Sequence, residues 1–170
     1  MTSKAAITKA LKFGEQFCNA LADMKDAPLE RPCAGGNHAM WIAGHLAVVE
    51  GRLHKMLFGI PNPLEHWKPL FDWGSTPVDD ASAYPPFEEV LTTLTNLRAR
   101  TMAHLESLDD AELDAPIKVS SPHFPICDTV GNSLLIIALH QCGHAGEAFV
   151  IRRAAGKKPF FNPSPELRAF

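Results

Sequence analysis

Residues 139–149 read Leu-His-Gln-Cys-Gly-His-Ala-Gly-Glu-Ala-Phe. His140 and His144 stand four positions apart, so on a helix both rings fall on one face, about 40° from each other. Zinc proteases use His-Glu-x-x-His, where the glutamate is the general base. Here Gln141 takes that place and cannot accept a proton, which removes the protease reaction but not a metal. Ser133, Ile136, Ile137, Glu147, Ala148 and Ile151 share the stripe, which is mostly apolar. Cys142 points nearly the opposite way and is a poor co-ligand.

A third imidazole is available upstream. In Asn37-His-Ala-Met-Trp-Ile-Ala-Gly-His45-Leu, His45 shares its face with Trp41, Ile42, Val49 and Met56. Gly44 beside it lets a neighbouring group come close. Three neutral imidazoles can hold a divalent ion of the zinc, nickel or iron type at about 2.0–2.1 Å. Nothing in the sequence demands a fourth protein ligand. Open positions would then take water or substrate, as in a catalytic rather than a structural site. The plainer alternative is three histidines packed in a core with ordinary hydrogen bonds.

Other residues could serve this centre. Glu147, one turn past His144, reads as an outer acceptor or a general base, or simply as a solvated carboxylate. Arg52 could meet an anionic substrate, although pairing with a carboxylate is the blander role. Trp67, Phe71 and Trp73 could form a lid or, more in keeping with their bulk, a plug at the bundle end. His38 reads as a half-exposed residue near a helix start. His54 reads as solvated, opposite His45. His66, His104 and His123 read as surface residues.

Four segments have helical periodicity and none alternates like a strand. The first spans about residues 3–24 and stops before Pro28. The second starts from Asn37 as N-cap and ends at Gly59. The third opens at Pro85-Pro86, with Glu88 and Glu89 suiting the helix dipole, and runs to about Leu108. An Asp-Asp-Ala-Glu-Leu piece follows. The fourth, capped by Asp128 or Thr129, reaches Ala155 with Arg152 and Arg153 in its last turn. If the second and fourth helices are antiparallel, the depths of His45 and His144 match, at about 12 Å and about 16 Å from their respective helix ends; a parallel arrangement with His140 also roughly fits. The connection over residues 60–83 can extend about 80 Å, enough to cross a bundle and let helices two and three run parallel. These features predict an all-α four-helix bundle forming one domain over residues 1–170.

Composition narrows the partners. The 170 residues carry a formal charge of -3 and no basic run, which argues against nucleic acid. No uninterrupted apolar stretch reaches the roughly 20 residues that span a bilayer, so a membrane role is not expected. The N-terminus carries no signal-peptide pattern, and Cys18, Cys33, Cys127 and Cys142 form no Cys-x-x-Cys pair. Buried thiols in a cytoplasmic protein are expected.

Taken together, Trp41-Ile-Ala-Gly-His45-Leu, His140-Gln-Cys-Gly-His144-Ala-Gly-Glu147, Arg152-Arg153 and Phe71-x-Trp73-Gly74-Ser75 resemble the DinB-like (YfiT-like) family of four-helix-bundle metalloproteins. The resemblance implies a down-up-up-down bundle with its long crossover between helices two and three. It implies a divalent transition metal (nickel, zinc or iron) on His45, His140 and His144; Glu147, from its place one turn past His144, is the catalytic candidate. It also implies a homodimer and a small-molecule substrate, possibly a thiol, for hydrolysis or thiol transfer. A metal- or small-molecule-binding stress module without turnover is the alternative.

Overall fold

The computed structural model describes residues 2–119, 125–158 and 160. Its long helices are α1 (Ser3–Ala22), α2 (Ala39–Phe58), α4 (Phe87–Ser107) and α6 (Val130–Ala154). Two single-turn helices, α3 (Lys68–Phe71) and α5 (Asp110–Leu113), lie in the connections. Among the described residues there is no strand, only one bridge between Pro116 and Thr129. His123 and the arm after Pro159, Phe160 aside, lie outside the described residues.

The helix ends follow side-chain chemistry. Thr2 caps α1, accepting from Ala5 N–H, and Thr129 caps α6, accepting from Asn132 N–H. Asp109 and Glu112 form a reciprocal capping box on α5. Gly59 closes α2 with φ 71°, a left-handed conformation that favours glycine. At the start of α2 the cap is His38 rather than Asn37. Its Nδ1 accepts from Trp41 N–H at 3.0 Å, and its Nε2 pairs with Val78 O at 3.0 Å. His38 is therefore fully buried, not half exposed.

Side-chain pairs fix the topology. Glu50 meets Arg98, His54 meets Thr101 and Phe58 stacks on His104, so α2 and α4 run parallel. Gly14 lies against Ala138 and Gln141, and Ala20 O faces Arg152, so α1 and α6 are parallel too. His45 faces His140 while Met56 and Cys127 line the same cavity, which makes α2 and α6 antiparallel. This is the down-up-up-down order, and the 60–83 connection makes the crossover between two parallel helices. Far from being structureless, that connection holds α3 and two 3₁₀ turns.

Two apolar clusters fill the bundle. The larger gathers Trp41, Ile42, Leu46, Trp67, Phe71 and Leu97 around one end. The smaller gathers Ile7, Leu11, Leu53, Leu105, Leu134 and Ile137 at the other. Trp67 and Phe71 are the predicted plug, whereas Trp73 is 75% exposed. Sixteen of the twenty α2 residues are buried, so its face opposite His45 packs on α4 instead of meeting solvent. His54 is accordingly buried, with Nε2 2.8 Å from Thr101 Oγ1, and not solvated as its position opposite His45 suggested. Thr101 donates to Glu50, which takes Arg98 Nη2 at 2.7 Å. By length and composition α6 could cross a bilayer, despite its interrupting polar residues; here it packs on α1 and α2. The thiols are less uniformly buried than expected: Cys127 is buried, Cys18 and Cys142 are half-buried and Cys33 is exposed, all free.

Candidate metal centre

Three imidazoles meet between α2 and α6. His140 Nε2 lies 3.2 Å from His45 Nε2 and 3.2 Å from His144 Nε2. The i, i+4 pair comes from α6, and His45 reaches across from α2 at matching depth because the helices are antiparallel. Trp41, one turn before His45, stacks on its ring at 4.7 Å and 7°.

The outer nitrogens decide which ring atom carries a proton. His45 Nδ1 lies 2.8 Å from Phe71 O, which can only accept, so Nδ1 carries the hydrogen. His144 Nδ1 lies 3.2 Å from Glu147 Oε2, again an acceptor, and Asn37 Nδ2 donates to the same oxygen at 3.1 Å. In their neutral forms both rings therefore present bare Nε2 lone pairs inward. A proton on His140 Nε2 could point at one of them and not at both. His140 Nδ1 is buried without a partner among the described residues. As ordinary hydrogen bonding this arrangement is incomplete.

A cation suits it. Nitrogens bound at about 2.0–2.1 Å with angles between about 90° and 110° stand about 2.9–3.4 Å apart, which brackets the spacing found. Burial depresses the basicity of His45, against the lifting effect of the Phe71 carbonyl. Burial, then the neighbouring His144 and His45, push His140 down to about 3. Both rings thus stay unprotonated at neutral pH, as ligation requires.

The surroundings hold His45 in place. Arg52 gives Nη2 to both carboxylate oxygens of Asp72, fastening the segment that carries the Phe71 carbonyl. Burial raises the Asp72 carboxyl, but the Arg52 and Trp73 N–H donors outweigh it and hold it below its usual range. The Phe71 ring packs on Gly44, where a Cβ would fall 2.5 Å from its Cγ and closer still to Cδ1 and Cε1. Ser75 accepts from Trp41 Nε1 at 2.8 Å and donates to Leu70 O at 3.1 Å. Gly74, at φ 88°, makes the turn that brings Ser75 back.

Glu147 lies behind His144, on the Nδ1 side and not on the Nε2 side where the rings converge. Cys142, His38, His54, His66 and His104 are not in the cluster. Asp72 and Asn37 went unnoticed as site residues in the sequence: Asn37 reads as a cap, and a loop aspartate carries no spacing signal. Beside the triad opens a cavity of about 360 Å³, with Val49, Leu53 and Ile137 on its walls.

This fold, with a histidine triad at a crossover bundle's centre, defines a class of helical proteins. Residues 14–148 match the DinB superfamily, and the chain belongs to it. A solved structure, YfiT from Bacillus subtilis, described as a probable metal-dependent hydrolase with an unusual four-helix bundle topology, shares the fold. It aligns with a TM-score of 0.64 at 20% identity, over 91% of this chain and 89% of that one. No curated protein matches the chain in sequence.

Proposed function

We propose that this protein is a metal-dependent enzyme in which His45, His140 and His144 hold a divalent transition ion of the nickel, zinc or iron type. The observation that carries this is the pair of bare Nε2 lone pairs facing a third Nε2 at 3.2 Å, beside an open cavity. The name of the YfiT neighbour supports hydrolysis as the reaction class. When bound, such an ion polarises a carbonyl or lowers the pKa of water. The chain's own residues do the rest. Phe71 O keeps the proton on His45 Nδ1, and Trp41 holds that ring flat against its face. Glu147 keeps the proton on His144 Nδ1, so we assign it to orienting that ring; Asn37 steadies the carboxylate. The proposed substrate is a small molecule, with water or a small thiol as the nucleophile.

Metal analysis of purified wild type and of His45→Ala, His140→Ala and His144→Ala tests the centre. Near-stoichiometric metal in wild type and at least a tenfold weaker hold in each variant is expected. Equal, low metal in all four sinks the proposal. Loaded protein given ester and thiol–electrophile panels then separates an enzyme from a binding module. We also propose a homodimer, supported by the apolar residues left exposed on α1 and α6: Phe13, Leu135, Leu139 and Val150.

A further inference from the structure

We propose that the cavity is a slot for the apolar body of a small carboxylate-bearing substrate, with the carboxylate on Arg52. This rests on the reading above, in that the reacting group of such a molecule would sit at the triad. The slot has a direction. On α2 its wall runs Trp41, His45, Val49, Leu53, Met56, one helical stripe about 22 Å long. Antiparallel α6 matches it with His144 and His140 at one end, then Ile137 and Ile136, and Cys127 lies near the far end. The histidines thus occupy one end, and beyond them the walls are aliphatic or sulfur-bearing apart from Arg52 and the Trp73 side chain next to its partner Asp72. A volume of about 360 Å³ is in the range of small-molecule sites.

Charge selects the ligand. Among the described residues no carboxylate lines the slot, and Arg52 is the one fixed charge on it. A cationic ligand would meet that guanidinium with no acid facing it. The Arg52 pair with Asp72 uses Nη2 alone for both oxygens, and Nε and Nη1 have no acceptor among the described residues. Both two-donor edges of a guanidinium include Nη2, so an incoming carboxylate would take a single N–H, from Nη1 or from Nε. Asp72 balances the formal charge of Arg52, so the preference for an acid rests on the unused N–H donors; Asp72 also holds the side chain in place, and little of its freedom is lost on binding. Helical side chains lean toward the N-terminus, which carries the Arg52 head from its own turn toward His45. The anion would therefore lie along the slot, between the triad and the Met56 end.

The test is calorimetric titration of butanoate, hexanoate and octanoate, and of butylamine, hexylamine and octylamine, into zinc-loaded and into metal-free protein. Affinity for the acids should rise about fourfold per methylene until the slot is full. Each amine should bind at least tenfold more weakly than its matching acid. Ile136→Trp, at a half-buried position on the wall, should abolish the dependence on chain length. Arg52→Gln should remove most of the preference for acid over amine. Circular dichroism melts establish that both variants fold; if Ile136→Trp does not, Met56→Phe replaces it. Octanoate binding no tighter than butanoate, amines equal to acids, or unchanged titrations in both variants would overturn the proposal. The metal-free arm separates the two readings: a slot without a metal site still binds the acids there, and a metal site without a slot still takes up zinc.

Discussion

Three helical glycines receive the same substitution with opposite expected results. Gly44 lies on α2 beneath the Phe71 ring, which is fully buried, stacks on Tyr84 at 5.4 Å and meets Trp67 edge-on at 5.6 Å. Gly→Ala in a helix interior gains about 0.8–1.0 kcal/mol from backbone entropy and solvation. At Gly44 the new Cβ falls 2.5 Å from Phe71 Cγ, so the ring must move roughly 1 Å or more in a packed site. Such overpacking costs about 1–3 kcal/mol. Tyr84 and Trp67 oppose rotation of the ring, and the His45 bond to the Phe71 carbonyl with the Arg52 bond to Asp72 oppose retreat of its backbone. Because three ring carbons are met at once, the upper part of the overpacking range applies, about 2–3 kcal/mol, and the net expectation for Gly44→Ala is a loss of about 1–2 kcal/mol, with a lowered metal affinity. At Gly143 and Gly146 of α6, both exposed in the single chain, nothing lies within 4 Å of the added Cβ, so alanine should gain up to about 1 kcal/mol at each; because they share a face with Leu139 and Val150, the comparison is made in the Leu139→Glu, Val150→Glu background. Urea denaturation of the three variants with metal removed reads the signs directly, and Phe71→Leu in the Gly44→Ala background should recover part of the loss. A Gly44→Ala protein as stable as wild type would refute the packing of α3 against α2 on which the His45 geometry depends.

Other outcomes can be stated briefly. Arg98→Met should cost about 3–5 kcal/mol in urea denaturation, because it strands Glu50, which is 1% exposed. Arg98→Met with Glu50→Leu together should recover most of that, and a double variant as poor as the single would contradict it. His54 is held down to about 4 by burial first and then by His104, Arg100 and Arg98, whereas in the unfolded chain it titrates near 6.5. Below pH 6.5 the unfolded state therefore takes up a proton that the folded state refuses, so stability falls as pH drops from about 6.5 to about 4. That fall, up to about 3 kcal/mol, should be smaller in His54→Gln when metal-free proteins are compared at pH 7.5, 5.5 and 4.5. Glu147→Ala should loosen the metal by about tenfold or more while leaving the melting temperature of the metal-free protein within a few degrees. Leu139→Glu with Val150→Glu should shift the light-scattering mass to that of one 18.6 kDa chain if the dimer uses that face, and an unchanged dimer mass would exclude that face as its interface.

Much of the scaffold was legible because it is encoded locally. Thr129, Gly59 and the Pro85-Pro86 pair mark helix ends within two residues of where they fall. The i, i+4 histidines also needed only helical geometry. The environment of His54 was not legible, because amphipathic reasoning assigns the face opposite a site to solvent and α2 is packed on nearly every side. The partner of Arg52 was not legible either. Pairing was the plainer expectation, but Asp72 is twenty residues away through a connection whose path is set by Phe71 finding Gly44. The same distance hides the Phe71 carbonyl as the acceptor for His45.

The long separation of the converging rings bears on how the protein is made. His45 and His140 are 95 positions apart in the chain, and α6 is the last long helix among the described residues. During synthesis α1, α2 and α4 emerge with only one of the three imidazoles among them. Until the ribosome has released α6 and it has docked between its neighbours, no chelating pocket exists, and a nascent chain has nothing with which to capture an ion at this position. On the proposed function, loading follows the docking of α6, and it marks a chain whose α6 has been correctly threaded between its neighbours.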